Sequence, residues 1–268
     1  MSLFVWPSST LPPWPFDNDY TFVPADSRVR TPFEQGTARQ RRTADLAYDV
    51  FQIRWTLPAA LYETFVTTVD QSISSGADFF TFPIFIDSDY ANCTARFQQG
   101  TLPRRERADA LWQVSFALEV IDLPVMSSAT LTGLIGAPTV GIQAWPTAQI
   151  DGNALNASFA QVASDAVFRD DLTSGGRIDQ VRRFRQRPAI YEWSAPMTNA
   201  QYALYRGFLY WRAKKGEGWF SIPVLRGGSI ENETVRIVAG TRKDTRSGGD
   251  WVASAQFETS DLAPQGES

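Results

Sequence analysis

Arginine is where this chain concentrates its reactive polar groups. Arg39, Arg41 and Arg42 form one cluster, Arg104, Arg105 and Arg107 a second, and Arg182, Arg183, Arg185 and Arg187 a third. A guanidinium is planar, always charged and carries five donors, which suits it to bidentate contacts across subunit boundaries. Such clusters have three readings: solvated loop charge, contact with DNA passing nearby, or contact with partner chains. A net charge of −4 argues against general nucleic-acid binding. The interfacial reading is the sharper one, with Arg39, Arg41, Arg42, Arg104, Arg105, Arg182 and Arg183 as its candidates.

Histidine is absent, so Ser/His/Asp and Cys/His nucleophiles and His-ligated metals are excluded. Neither common glycine-rich phosphate loop is present. Asp87-Ser88-Asp89 opens like a calcium loop, but the Gly and Glu that should follow are missing. Glu119 and Glu258 fall at matching strand ends, where a solvated carboxylate is the ordinary explanation. The expectation is a protein that is not an enzyme and holds no cofactor or metal. Cys93 stands alone, which excludes an internal disulfide and reads as a small buried residue. Nine Trp and eighteen Phe are many for 268 residues, and large aromatics fill cores or interfaces. Trp6, Trp14, Phe16, Trp145 and Trp219 are the candidates for docking a neighbouring chain.

The elements that must position these residues are written twice. Gly76-Ala77-Asp78-Phe79-Phe80-Thr81-Phe82-Pro83 returns as Gly216-Glu217-Gly218-Trp219-Phe220-Ser221-Ile222-Pro223. Other landmarks keep nearly the same spacing. Trp6-Pro7 recurs as Trp145-Pro146, Tyr20 as Phe159, Arg30 as Arg169, Gly36 as Gly175 and Trp112 as Trp251, all 139 positions on. Arg96 returns as Arg236 at 140, while Trp55 and Pro58 are matched to Trp193 and Pro196 at 138. A period this long indicates a duplicated globular domain, not a solenoid. The expected division is a first domain over 1–125 with an aromatic N-terminal arm, a small-residue linker over 126–139, a second domain over 140–262 and a disordered tail over 263–268.

Within each copy, period-two alternation predicts a strand from Tyr48 to Trp55, with Phe51, Ile53 and Trp55 on the buried face. A helix should follow, capped by Thr56, carrying Leu61, Phe65, Val69 and Ile73 on one face and stopped at Gly76. Strands are expected over 78–85, 93–97 and 110–121, joined between 101 and 107 by a polar connection. Residues 26–45, with Arg28, Arg30, Arg39, Arg41 and Arg42, read as a long basic loop or hairpin. Copy two repeats this with a strand over 189–193, a helix over 198–215 and strands over 217–225, 233–239 and 250–259. The class is mainly β (α+β). No run of about 20 apolar residues suggests a membrane span, and residues 1–7 lack the layout of a signal peptide, so cytoplasmic synthesis is expected.

A strand ending in Trp55, a helix, a glycine, Phe80-Thr81-Phe82-Pro83, a strand with Arg96-Phe97 and a strand opening with Trp112 together resemble the minor tail proteins of long-tailed bacteriophages. The lambda minor tail protein M group and the distal tail proteins are nearest in kind. The resemblance covers residues 45–122 and again 187–259. It implies two tandem tail-tube-like split β-sandwiches, each with one crossing helix. It also implies a virion tail protein, assembled in the host bacterial cytoplasm, that self-associates in a ring at the distal tail or tail tip. Its partners would be the tail tube protein and tip hub or baseplate proteins, with DNA only as passing cargo. Duplication leaves the ring as a trimer with pseudo-sixfold symmetry or a hexamer. A different class remains open beside it: a binding module for a host glycan or receptor, with Trp14 and Trp219 stacking on sugar.

Overall fold

A computed structural model describes residues 3–12, 20–31, 39–42, 48–87, 89–101, 104–108, 111–150, 158–162, 167–169, 180–182, 189–226, 229–247 and 249–259. The chain is mainly β, as its alternating stretches require. In order, the first half runs β1 (Phe4–Val5), β2 (Tyr20–Val23), β3 (Arg28–Thr31), β4 (Arg39–Arg42), β5 (Asp49–Pro58), α1 (Ala59–Thr67), β6 (Phe80–Ile86), β7 (Asp89–Phe97), β8 (Arg104–Ala108) and β9 (Leu111–Val120). Helix α2 (Ser128–Ile135) follows. The second half runs β10 (Gln143–Ala144), β11 (Ser158–Val162), β12 (Val167–Arg169), β13 (Gln180–Arg182), β14 (Ile190–Met197), α3 (Asn199–Trp211), β15 (Phe220–Arg226), β16 (Ser229–Ile237), β17 (Lys243–Ser247) and β18 (Asp250–Thr259).

The pairings of the two halves correspond strand for strand. The short strands β1 and β10 lie parallel on β6 and β15. Strand β5 pairs β2 and β9 as β14 pairs β11 and β18. Hairpin β3–β4 matches hairpin β12–β13. The turn after each helix has the same backbone: Ser74, Ser75 and Gly76 take φ of 48°, 55° and 88°, and Lys214, Lys215 and Gly216 take 48°, 59° and 86°. In each turn two non-glycine residues adopt a left-handed conformation, which costs energy and therefore marks a turn held by its surroundings.

Each half is packed around a tryptophan on the segment leading from its first strand. The Trp6 ring lies 5.7 Å from Trp55 and 5.1 Å from Phe82, and the Trp145 ring 5.8 Å from Trp193 and 5.4 Å from Phe208. The sequence matched Trp55 with Trp193, and the register corrects this. Ile53 faces Phe116 while Trp193 faces Ala255, so Trp193 stands at the place of Ile53, 140 positions on, and Ala195 at the place of Trp55. Side chains alternate across a strand, so a shift of two keeps a ring on the same face. Either position delivers a tryptophan to the same core.

Four further expectations are corrected. Thr56 is no helix cap: it pairs with Gln113 inside β5, and the helix starts after Pro58 without a side-chain cap. Pro58 fixes φ where the missing N–H is not needed. Helix α1 then widens into a π turn over Thr68–Ser72 before reaching Gly76. The polar connection over 101–107 contains strand β8, antiparallel to β9. The linker over 126–139 contains helix α2, capped by Ser127, which accepts from the Thr130 amide, and Leu131 on it is fully buried. The expected tail over 263–268 lies outside the described residues.

The halves share one sheet. Strand β2 of the first half pairs antiparallel with β17 of the second, Tyr20 facing Arg246, Thr21 facing Thr245 and Phe22 facing Asp244. An antiparallel run therefore crosses the molecule in the order β8, β9, β5, β2, β17, β18, β14, β11.

Candidate subunit interface

The joint between β2 and β17 combines an apolar strand with a charged one. Alternation sends Tyr20 and Phe22 inward, where both are buried, and turns Asp244 and Arg246 to the same covered side. A buried charge is tolerable only if paired and hydrogen-bonded. Asp244 accepts from Arg242 at 2.7 Å and from the Tyr202 hydroxyl at 2.8 Å. Burial works against the charge on Arg242, and the neighbouring Asp244 outweighs it, holding the guanidinium above its ordinary range. Burial pushes the Tyr202 hydroxyl well up, and Asp244 adds to this, so it stays a donor. Arg246 lies 4.0 Å over the Phe85 ring, a cation–π contact from one half to the other.

Hairpin β3–β4 clasps the second half from above the joint. Gln40 donates to the Ile237 carbonyl at 3.1 Å and accepts from the Ala239 amide at 2.7 Å. Arg28 donates to the carbonyls of Gly216 at 2.5 Å and Ile237 at 3.0 Å. A Cβ on Gly216 would stand 3.1 Å from that guanidinium, so glycine serves both the positive φ and the close approach. Asp26 accepts from Arg28 at 2.7 Å and from the Gly240 amide at 2.7 Å. Burial by itself would raise the Asp26 carboxyl, but Arg28 and the Gly240 amide hold it below its ordinary value. Arg30 reaches Glu258 at 3.5 Å, and that fully buried carboxylate also accepts from Arg236 at 3.4 Å.

A third contact joins helix to turn. Arg206 of α3 donates to Asp87 at 3.0 Å and to the Pro124 carbonyl at 2.8 Å. Helix α2 and the residues flanking it pack on the end of α3: Trp211 donates to the Met126 carbonyl, and Arg212 to Thr132 and the Gly136 carbonyl.

The candidates chosen from sequence fare unevenly. Trp6 and Trp145 are corrected: they are 2% and 3% exposed within the single chain and leave no surface for a neighbour. Trp219 is half-buried, with the Arg236 guanidinium 4.6 Å over its ring. Arg41 is exposed on β4, and Arg39 and Arg42 are carried by the same strand, Arg104 and Arg105 by β8 and Arg182 by β13. Trp14, Phe16 and Arg183 lie outside the described residues. Glu119 and Glu258, read as solvated, are both ion-paired. The residues that make the joint, Asp26, Arg28, Arg30, Gln40, Arg206 and Asp244, were not among the candidates. The usable signal was recurrence: Gln40 returns as Gln180 and Arg30 as Arg169.

Among the described residues no three Cys, Asp or Glu side chains are grouped to hold a metal, and no helix is long and apolar enough to cross a membrane. No family model matches the chain, and no curated protein matches it either.

Proposed function

We propose that this chain is a structural protein of a long-tailed bacteriophage virion, a duplicated-domain subunit of the distal tail or tail tip that forms a ring around the DNA conduit. It would join the tail tube to tip or baseplate components. The observation that carries this reading is the β2–β17 joint. Two halves of like plan meet edge to edge through strand pairing and the partly buried ion pairs Arg30–Glu258 and Arg206–Asp87, a head-to-tail contact of the kind that can generate a ring when repeated. The motifs around Gly76, Arg96 and Trp112 and their second set supply the resemblance to tail proteins. Because the halves lie side by side in one sheet, both belong to one layer of the ring. That favours three chains with pseudo-sixfold symmetry over six chains in two layers.

The test is immunogold labelling of purified tailed particles whose genome encodes the chain. Gold at the host-proximal end of the tail is expected. Particles that carry no copy of the chain would overturn the reading.

A further inference from the structure

The two ends of the eight-strand run are the counterparts of the two strands that meet in its middle. Strand β8 stands to β9 as β17 stands to β18, with Arg104 facing Ser115 as Lys243 faces Ser254. Strand β11 stands to β14 as β2 stands to β5, with Phe159 facing Trp193 as Tyr20 faces Ile53. In the middle these partners are joined. Among the described residues nothing pairs with the outer edge of β8 or of β11. An open edge presents a row of unmet donors and acceptors, a template for another strand.

A second observation, independent of strand pairing, concerns the ion pair beside the clasp. Arg236 and Glu258 have side chains 8% and 0% exposed, and Arg30 from the hairpin completes the group. At the same place in the first half, Arg96 and Glu119 pair at 2.7 Å with side chains 34% and 15% exposed. The counterpart of Arg30 is Arg169 on β12, which faces Gln180 as Arg30 faces Gln40. That hairpin belongs to the half whose open edge is β11.

We propose that β11 of one copy pairs with β8 of the next, repeating the internal joint between chains, and that hairpin β12–β13 clasps the neighbour's first half over Arg96 and Glu119. The partner is a second copy of this chain. Shifting the internal register by 139 positions places Gln161 opposite Arg105, Ala160 opposite Glu106 and Phe159 opposite Arg107. Charge on β8 is no obstacle: its counterpart β17 is also charged, and Asp244 and Arg246 are buried in the internal joint. The contact is head-to-tail, so it closes into a ring when the rotation from copy to copy divides a full turn without a rise along the axis. This deepens the ring reading above without needing the ring to belong to a phage.

Two variants, each with one added cysteine, test it when mixed. Cys93 is 1% exposed and can stay in place, with the parent chain as its control. Glu106→Cys mixed with Ala160→Cys under mild oxidation should give a reducible linked dimer at least tenfold above Glu106→Cys mixed with Val140→Cys, a fully exposed site on neither edge strand. Neither variant alone should link. Arg105→Cys with Gln161→Cys gives a second in-register pair if either first variant folds poorly. Ring-sized particles without linkage by either pair would overturn the edge pairing and leave the ring reading standing. A parent chain that stays monomeric at every concentration, with no linkage, would overturn both.

Discussion

Helices α1 and α3 hold the same place in the two halves, yet one is open and the other covered. On α1 only Phe65 is fully buried, whereas on α3 Tyr202 and every residue from Leu204 to Leu209 are buried. The cover comes from α2 and from the turn at Asp87. The edge strands differ in the same way: β17 has β2 against it, and β8 has nothing among the described residues. On the side that carries the helix and the β8-type edge, the second half is thus occupied and the first half is not, while the β2-type edge is used in the first half and open in the second. What differs is occupancy, not plan.

The sharpest way to break this comparison is Asp244→Ala against Arg105→Ala, since the two residues hold equivalent places on β17 and β8. Removing Asp244 leaves Arg242 and Tyr202 without their shared acceptor, and losing one partner of a buried pair costs about 3–5 kcal/mol. Urea unfolding of the monomer should register that loss, while Arg105→Ala should leave unfolding within about 0.5 kcal/mol and weaken self-association instead. Next comes Gly207→Leu against Thr67→Leu, at matching helix positions. A Cβ on Gly207 meets Met126 at 3.4 Å and Leu131 at 3.5 Å, so overpacking there should cost about 1–3 kcal/mol. Thr67 is exposed, and its change should stay within about 0.5 kcal/mol by thermal melting.

Gln40→Ala against Gln180→Ala is a smaller contrast. Losing Gln40 leaves the Ala239 amide without its partner, at about 1–3 kcal/mol, whereas Gln180→Ala should leave the monomer's unfolding unchanged.

The mildest effect is on pH. Asp26 has its carboxyl held below the ordinary 3.8, so it contributes stability that is fully present above that value and is lost as pH falls through its lowered one. Asp49, raised chiefly by burial, has the opposite sign, since the folded state holds its proton more tightly. Asp26→Asn should therefore flatten the acid limb of the melting curve, and Asp49→Asn should not. Burial also pushes the Cys93 thiol up to about 12, so alkylation at neutral pH should wait for unfolding.

Sequence alone revealed the strands with one buried face, because alternation at Phe51, Ile53 and Trp55 or at Val114, Phe116 and Leu118 is a direct image of the pleat. It did not reveal β8 and β17, whose charged residues lie in an edge and a joint and show no apolar alternation. Helix α2 was hidden by its small residues, although Leu131 and Ile135 are spaced to lie on one face. The Trp55–Trp193 match was misleading for a physical reason: two positions along a strand look alike to a core that needs only one large ring. The joint itself rests on Gln40, Asp26 and Arg206, polar residues whose partners are more than 100 positions away. Deleting residues 1–22 would remove Trp6 from the core and part of β2 from the joint.

Electron microscopy of the purified chain, with particle mass measured alongside, tests most directly whether the internal joint is repeated between copies. Rings of three chains with a six-part outline and an open centre are expected. Single chains at every concentration, or rings whose chains place their two halves in separate layers, would contradict it.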